Sequence, residues 1–191
     1  GWYAATDGRH VLVSPAPERG FRRLDFETAD FGSLPVSSLE GGAPATDGYR
    51  WFGAGSGGPA LVDPDGIRWI PWADAPYALD TLTFESADGV ELAGLLLRPL
   101  HPSGAGAVIL HGSGDSDRDN VWAYTFADAL ARRGVAVLFF DKRGSGASGG
   151  DWRTVGLDAL ARDGAAGFDA LARHARVRND CTGWVLSLIH I

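Results

Sequence analysis

The sequence contains no methionine and only one cysteine, Cys181, among its 191 residues. A single cysteine cannot form a disulfide within the chain, and it cannot supply a cysteine-based metal cluster. Because no methionine stands at or near Gly1, we expect the sequence to begin downstream of its initiator. Any signal peptide would precede Gly1, so the sequence predicts no particular compartment.

Long apolar runs and basic stripes are also missing. No apolar run approaches the roughly 20 residues that a membrane-spanning helix needs, so we predict no membrane span. The net charge is −7 and the arginines are interspersed with acidic residues, which excludes a nucleic-acid partner. By contrast, 45% of the residues are hydrophobic, with seven Trp and nine Phe, and this content excludes a disordered chain. The oligomeric state is left open.

Residues 1–80 have the features of a small β-rich unit. Asp-Gly pairs favour tight hairpin turns, because glycine accepts the positive φ that such turns require. They occur at Asp7-Gly8, Asp47-Gly48 and Asp65-Gly66. Between the outer two pairs, residues 32–59 are rich in Gly, Ser and Pro and carry few helix signals. We predict a β-rich N-terminal extension over residues 1–80, itself cut short, without a helix.

From Thr81 the pattern changes to alternating strands and helices. Residues 81–99 predict two strands around a turn at Asp88-Gly89, and three further strands are predicted at AGAVILHG, VAVLFF and CTGWV. Helices are predicted between them, over residues 121–134 and from about Thr154 to His174. This order predicts an α/β fold with a mostly parallel sheet, helices on both faces and an antiparallel edge hairpin.

Apolar spacing predicts which side of each helix faces the core. In the first helix, Trp122, Phe126 and Leu130 have helical spacing. In the second helix the predicted inner side consists of Leu157, Leu160, Ala161, Gly164, Phe168 and Leu171.

The first motif with chemical potential is His111-Gly112-Ser113-Gly114, directly after a predicted strand. Ligands of doubly wound sheets bind beyond the carboxyl ends of the strands. Adjacent glycines let the backbone turn sharply and present bare N–H groups, which acyl-transfer enzymes use to stabilise an oxyanion. A tight strand-to-helix connection without a ligand is the alternative interpretation.

The second motif spans residues 141–149, DKRGSGASG, after the strand VAVLFF. Gly144-x-Gly146-x-x-Gly149 matches the dinucleotide fingerprint, and Asp169 follows about 20 residues later. A dinucleotide-binding oxidoreductase using Gly144–Gly149 is therefore an alternative function. The context opposes it, because residues 150–152 separate the glycines from the helix and Asp169 falls within that helix.

Together, HGSGDSDRD and LARRGVAVLFFDKRGSGASGG resemble the catalytic domain of bacterial α/β-hydrolases. The resemblance covers about Thr81 to Val185. Within the superfamily the sequence is most similar to the serine-aminopeptidase, prolyl-oligopeptidase-like and acyl-ester hydrolase group. The resemblance implies a partial α/β-hydrolase fold over residues 81–185, which would be the N-terminal half of a catalytic domain.

The resemblance also implies roles for the motif residues. The backbone N–H of Ser113 would be the first oxyanion donor and that of Gly114 the second, while His111 and Gly112 shape the loop. A structural role is implied for Asp141, Arg143, Gly144, Gly146 and Ser148. The implied function is a serine hydrolase that acts through an acyl-enzyme on a small-molecule ester, thioester or peptide substrate, without a cofactor.

The nucleophile of this family stands in Gly-x-Ser-x-Gly after the fifth strand, and the acid and histidine follow later. TGWV resembles that fifth strand, but the next residues are LSLIHI. Residues 186–191 match a reading-frame translation of a library-preparation adapter, so we expect a non-native tail. Ser187 lacks the flanking glycines. We expect the nucleophile, acid and base to be absent from this chain and the chain itself to be inactive.

Three further interpretations remain at this stage. Asp115, Asp117, Arg118 and Asp119 form either a surface ion-pair cluster or the entrance to a site. No histidine pair has a metal-ligand spacing such as His-x-x-x-His, so we predict no metal. A non-catalytic binding module is the other alternative function, and it would use aromatic residues of the N-terminal unit: Trp2, Tyr3, Tyr49, Trp51, Phe52, Trp69 and Trp72.

Overall fold

A computed structural model describes residues 1–16, 20–34, 48–52 and 60–186. The chain divides into two compact units, Gly1–Ala75 and Pro76–Ile191. The predicted boundary lies near residue 80, but residues 77–80 already belong to the first strand of the second unit. Asp47, Ser187 and the predicted tail beyond Leu186 lie outside the described residues.

The first unit is an antiparallel sheet. Its strands are β1 (Trp2–Ala5), β2 (His10–Ala16), β3 (Gly20–Asp25), β4 (Asp30–Leu34), β5 (Arg50–Phe52), β6 (Ala60–Val62) and β7 (Arg68–Pro71). They are ordered β4-β3-β2-β1-β7-β6-β5. The Asp7-Gly8 turn joins β1 to β2 and the Asp65-Gly66 turn joins β6 to β7, as predicted. No helix occurs among the described residues of this unit, and the β-rich prediction is confirmed.

Most of the described aromatic side chains of the first unit belong to its core. Buried ones are Trp2, Tyr3, Tyr49 and Trp69. Trp72 is half-buried and meets the ring of Trp2 edge to face, with the centroids 5.7 Å apart. The side chains at positions 51 and 52 are outside the described set. Burial of these rings favours packing over a binding surface.

The second unit is a five-stranded mixed sheet with two helices. Its elements are β8 (Tyr77–Glu85), β9 (Glu91–Pro99), β10 (Gly106–Leu110), α1 (Val121–Ala131), β11 (Ala136–Phe140), α2 (Leu157–Ala175) and β12 (Thr182–Leu186). The strand order is β12-β10-β11-β9-β8. Strand β10 is parallel to both neighbours, while β9 runs antiparallel to β11 and β8. The predicted fold class is confirmed.

The two helices pack on opposite faces of this sheet. Tyr124 of α1 contacts the ring of Phe139, with centroids 4.9 Å apart. Ala170 and Leu171 of α2 join the core cluster of Leu138, on the other side of β11. The chain crosses from β10 to β11 in one direction and returns past β10 to β12. Because such crossovers are right-handed, the two helices fall on opposite faces.

Some of the predicted helix faces are wrong. Trp122 and Phe126 are 74% and 54% exposed, and α1 instead buries Tyr124 and Asp128. Asp128 is buried because its carboxylate accepts hydrogen bonds from the Tyr77 hydroxyl, at 2.7 Å, and from Arg132. In α2, Leu157 is 83% exposed, because the helix begins at this residue rather than at Thr154.

Leu138 and Leu157 provide a matched test of where the core of the second unit lies. Leu138 is fully buried in β11. We expect Leu138→Ala to lower the free energy of unfolding by about 2–5 kcal/mol, because it removes packed methyl groups and leaves a cavity. The exposed Leu157→Ala should stay within about 0.5 kcal/mol. Urea unfolding followed by the amide NMR signals of β10 and β11 measures both values, and equal losses would contradict this core.

Candidate active site

One cleft of about 820 Å³ lies at the carboxyl ends of β10, β11 and β12. It is bordered by the loops after β10 and β11, the start of α2 and the end of β12. The connections leaving β10 and β11 run to opposite faces of the sheet, and ligands of open α/β sheets bind where such connections diverge. Apolar side chains, including Val155, Leu157 and Leu160, form much of its wall.

The predicted oxyanion residues lie together on this cleft. His111, Gly112, Ser113 and Gly114 all line it. Within the part of the chain that the structure describes, the N–H groups of Ser113 and Gly114 donate to no protein acceptor. Gly114 has a φ of +87°, in the left-handed region that favours glycine, which allows the loop to turn here. Two N–H groups are therefore available to a ligand.

His111 holds the base of this loop. Its Nε2 is hydrogen-bonded to the carbonyl oxygen of Phe140, and its ring meets the Phe140 ring edge to face at 4.9 Å. Burial lowers the pKa of His111 from its ordinary value, and the carbonyl acceptor opposes this only in part. The neutral ring that donates from Nε2–H ties the end of β10 to the end of β11. This contact fits the predicted loop-shaping role.

Lys142 is a cleft residue that the sequence analysis missed. Its ammonium donates to the carbonyl oxygens of Gly112, at 3.2 Å, and Gly114, at 2.9 Å. It also lies 4.3 Å from the ring centroid of Trp152, a second cleft residue without a prior assignment. The only sequence signal was a basic residue one position after Asp141, in a loop that follows a buried strand.

Asp141 joins the two loops. Its fully buried carboxylate accepts hydrogen bonds from the Arg118 backbone N–H at 2.6 Å, the Arg118 Nε at 3.0 Å and the Ala147 N–H at 2.8 Å. A Cβ at Gly146 would stand 2.6 Å from the Asp141 Oδ2, so only glycine fits there. The predicted structural role of Asp141 and Gly146 is confirmed by these contacts.

Ser148 belongs to the same loop and is not a nucleophile. Gly146-Ala147-Ser148-Gly149-Gly150 has the form Gly-x-Ser-x-Gly, a match that the sequence analysis overlooked. The Ser148 hydroxyl is buried, donates to the Asp141 carbonyl at 2.7 Å and accepts from the Ala93 N–H at 2.9 Å. These bonds fix the loop to β9 and leave no free hydroxyl for attack.

Arg143 anchors the loop to two other elements. Its guanidinium forms paired hydrogen bonds to Asp163 of α2, at 2.7 and 2.5 Å, and to Asp88 in the β8–β9 turn, at 2.9 and 3.2 Å. Arg143 is only 2% exposed. Hydrogen bonds from Arg143 lower the pKa of Asp88, and those to Asp163 and Asp88 raise the pKa of Arg143. The arginine therefore stays charged and fixes the loop.

The geometry of the glycine loop does not suit a dinucleotide. The Gly144 N–H donates to the Gly149 carbonyl, so the loop closes on itself. A short 3₁₀ helix, Trp152–Thr154, then precedes α2. The glycines consequently do not open a helix whose N-terminus would bind a pyrophosphate. Asp169 lies in the middle of α2 rather than at a strand end.

The charged residues after the first motif do not line the cleft. Asp115 is exposed and accepts a hydrogen bond from the Ser145 hydroxyl. Arg118 is buried against Asp141, which differs from the predicted surface cluster. The Asp117 carboxylate accepts from the Asp119 N–H at 2.9 Å. Arg118 thus holds the two loops together through Asp141. Asp117 and Asp119 lie in the segment that leads into α1.

The described serines of the second unit lack the surroundings of a nucleophile, because none is hydrogen-bonded to a histidine. Among the described residues there is also no group of three His, Cys, Asp or Glu side chains that could hold a metal ion. No helix in the described ranges is long and apolar enough to cross a membrane.

Arg143 and Arg98 allow a matched test of the loop anchor. Asp163 is buried beneath Arg143, whereas the Arg98–Asp80 pair is about half exposed. We expect Arg143→Ala to lower the free energy of unfolding by about 3–5 kcal/mol, because it leaves a buried carboxylate unpaired. Arg98→Ala should cost about 0.2–1 kcal/mol. Chemical denaturation measures both, and an Arg143→Ala loss no larger than that of Arg98→Ala would refute the anchoring role.

Comparisons with known proteins identify related structures but no named family model. No family model and no curated protein matches the chain. A hypothetical protein from Pseudomonas aeruginosa is 26% identical, with a TM-score of 0.50, over 60% of this chain and 36% of that one. An esterase from Pyrococcus furiosus is 26% identical, with a TM-score of 0.47, over 61% and 46%. An α/β hydrolase from Penicillium sp. sh18 is 22% identical, with a TM-score of 0.48, over 57% and 37%.

The chain spans less than half of the length of each of these three structures. Its second unit has the layout that the two motifs implied. An antiparallel hairpin comes first, the next two strands are parallel neighbours that end in the motifs, and a fifth strand lies on the far side of β10. The strand order and connections of the second unit are those expected of a partial α/β-hydrolase fold.

Proposed function

We propose that the protein to which this chain belongs is a serine hydrolase that cleaves ester, thioester or peptide bonds through an acyl-enzyme. The observation that carries this proposal is a pair of N–H groups, at Ser113 and Gly114, that have no acceptor within the described ranges and lie on a cleft at the ends of three parallel strands. Such donors stabilise the negative charge that develops on a carbonyl oxygen under attack. Ser113 would be the first donor and Gly114 the second.

The register of β12 supports a position for the nucleophile. Ile109 pairs with Val185, so the two strands run side by side to their carboxyl ends, about 4.8 Å apart. A serine on a tight turn directly after β12 would therefore stand beside the loop that carries the N–H donors. An acid and a histidine from later in the chain would complete the triad.

The cleft also suits an acyl substrate. Its apolar wall near Leu157 and Leu160 would accept the hydrocarbon part of an acyl group, while the polar loop at Ser113 meets the carbonyl. Residues 81–185 would then form the first half of the catalytic domain, with residues 1–80 as a β-rich extension. We propose that the 191-residue chain itself has no hydrolase activity, because no described serine of the second unit is hydrogen-bonded to a histidine.

Two substitutions at Ser113 test the donor assignment in the product of the complete gene. Ser113→Pro removes the backbone N–H and should lower kcat for an activated ester by about 10²–10³-fold. Ser113→Ala keeps the N–H and deletes only an exposed hydroxyl, so its kcat should be nearly unchanged. Thermal unfolding of both variants controls for misfolding. If the two variants have equal kcat values, whether unchanged or reduced, the assignment is contradicted.

A further inference from the structure

We infer that Lys142 is a positioning residue for oxyanion binding, because its ammonium donates hydrogen bonds to the carbonyls of Gly112 and Gly114. We call this pair of hydrogen bonds the clamp. This inference rests on the proposed function and assigns it a residue outside the triad and the donors. The two contacts, at 3.2 and 2.9 Å, come from a single nitrogen to carbonyls two residues apart. Because both carbonyls are hydrogen-bonded, the peptide units between them have little freedom to rotate.

The direction of the Ser113 N–H follows from the planarity of the peptide bond. The Gly112 carbonyl and the Ser113 N–H belong to one trans peptide unit, in which C=O and N–H point in opposite directions. When Lys142 holds the carbonyl, the N–H must point away from Lys142. The N–H that this constraint directs is one that donates to no acceptor among the described residues.

The charge of Lys142 also strengthens the donor. A hydrogen bond to a carbonyl polarises its peptide unit, and a charged donor does so more than a neutral one. Polarisation increases the partial positive charge on the Ser113 N–H. The same ammonium thus orients the donor and strengthens its attraction for an oxyanion.

The surroundings of Lys142 suit hydrogen bonding to the loop carbonyls better than a structural ion pair with a carboxylate. The residue is 6% exposed, and within the described ranges its ammonium forms no ion pair. Its contacts are the two carbonyls and the face of Trp152. Desolvation lowers the pKa of Lys142, and the charge of Asp115 opposes this. The described hydrogen bonds of the ammonium therefore go to the loop carbonyls rather than to a paired carboxylate.

Carbonyl NMR of the 191-residue chain tests the clamp. In Lys142→Met, the carbonyl ¹³C signals of Gly112 and Gly114 should move upfield, because each loses a charged hydrogen-bond donor, and the Ser113 amide proton should shift with them. Arg153→Met is the matched control, since Arg153 lies 4.9 Å from the same Trp152 ring and, in the described part of the chain, its guanidinium donates no hydrogen bond to the loop. It should leave these carbonyl signals unchanged.

A measurement on the unmodified chain covers the case in which Lys142→Met does not fold. A clamped ammonium exchanges its protons slowly, so the Lys142 Nζ–H signal should persist at a pH where solvent-exposed amines have lost theirs. Absence of a protected Lys142 signal, or carbonyl signals that stay in place in folded Lys142→Met, would overturn the clamp.

Kinetics of the complete gene product separate this inference from the proposed function. There Lys142→Met should lower kcat at least several-fold with KM nearly unchanged, because the lost interaction acts mainly in the transition state. If a serine-reactive probe labels an active-site serine in the complete gene product but the carbonyl signals do not move in Lys142→Met, the clamp alone is refuted. Shifted carbonyl signals in a protein without any reactive serine would refute the proposed function, and with it the catalytic meaning of the clamp.

Discussion

The carboxylate of Asp141 has no exposed surface and accepts hydrogen bonds from both loops that border the cleft. One bond comes from Ala147 in its own loop, and two come from Arg118, downstream of the first motif. A buried carboxylate that lost these donors would be costly, so both loops are constrained to stay in place around it. The geometry of the cleft depends on this constraint, because its polar side consists of those loops.

The two residues after Asp141 extend the same arrangement in other directions. Lys142 reaches the carbonyls of the first motif, and Arg143 reaches the β8–β9 turn and α2 through Asp88 and Asp163. Three consecutive charged residues therefore connect the loop after β11 to the loop after β10, to the β8–β9 turn and to α2. Ser148 adds the bond to β9. The second motif is thus a scaffold beside the candidate active site, and the ligand-facing N–H groups belong to the first motif.

The sequence was sufficient to predict the layers of the second unit. The continuous apolar run of β11 is buried on both faces, which is what a central strand covered by helices requires. Helix faces were harder to predict, because Asp128 is buried through a hydrogen bond from Tyr77, 51 residues earlier, while Trp122 is exposed. No local pattern shows such a distant partner. The Lys142 contacts were missed for the same reason, since they depend on how two loops pack against each other.

We propose that the fold continues into a nucleophile directly after Val185, and sequencing the source DNA downstream of the codon for Val185 tests this proposal most directly. We expect Gly-x-Ser-x-Gly within the next few codons, with an aspartate or glutamate and then a histidine further along. That result would make Ser113 and Gly114 the donors that face a real acyl-enzyme. A genuine LSLIHI followed by a stop codon would contradict the account, because the cleft would then have no nucleophile.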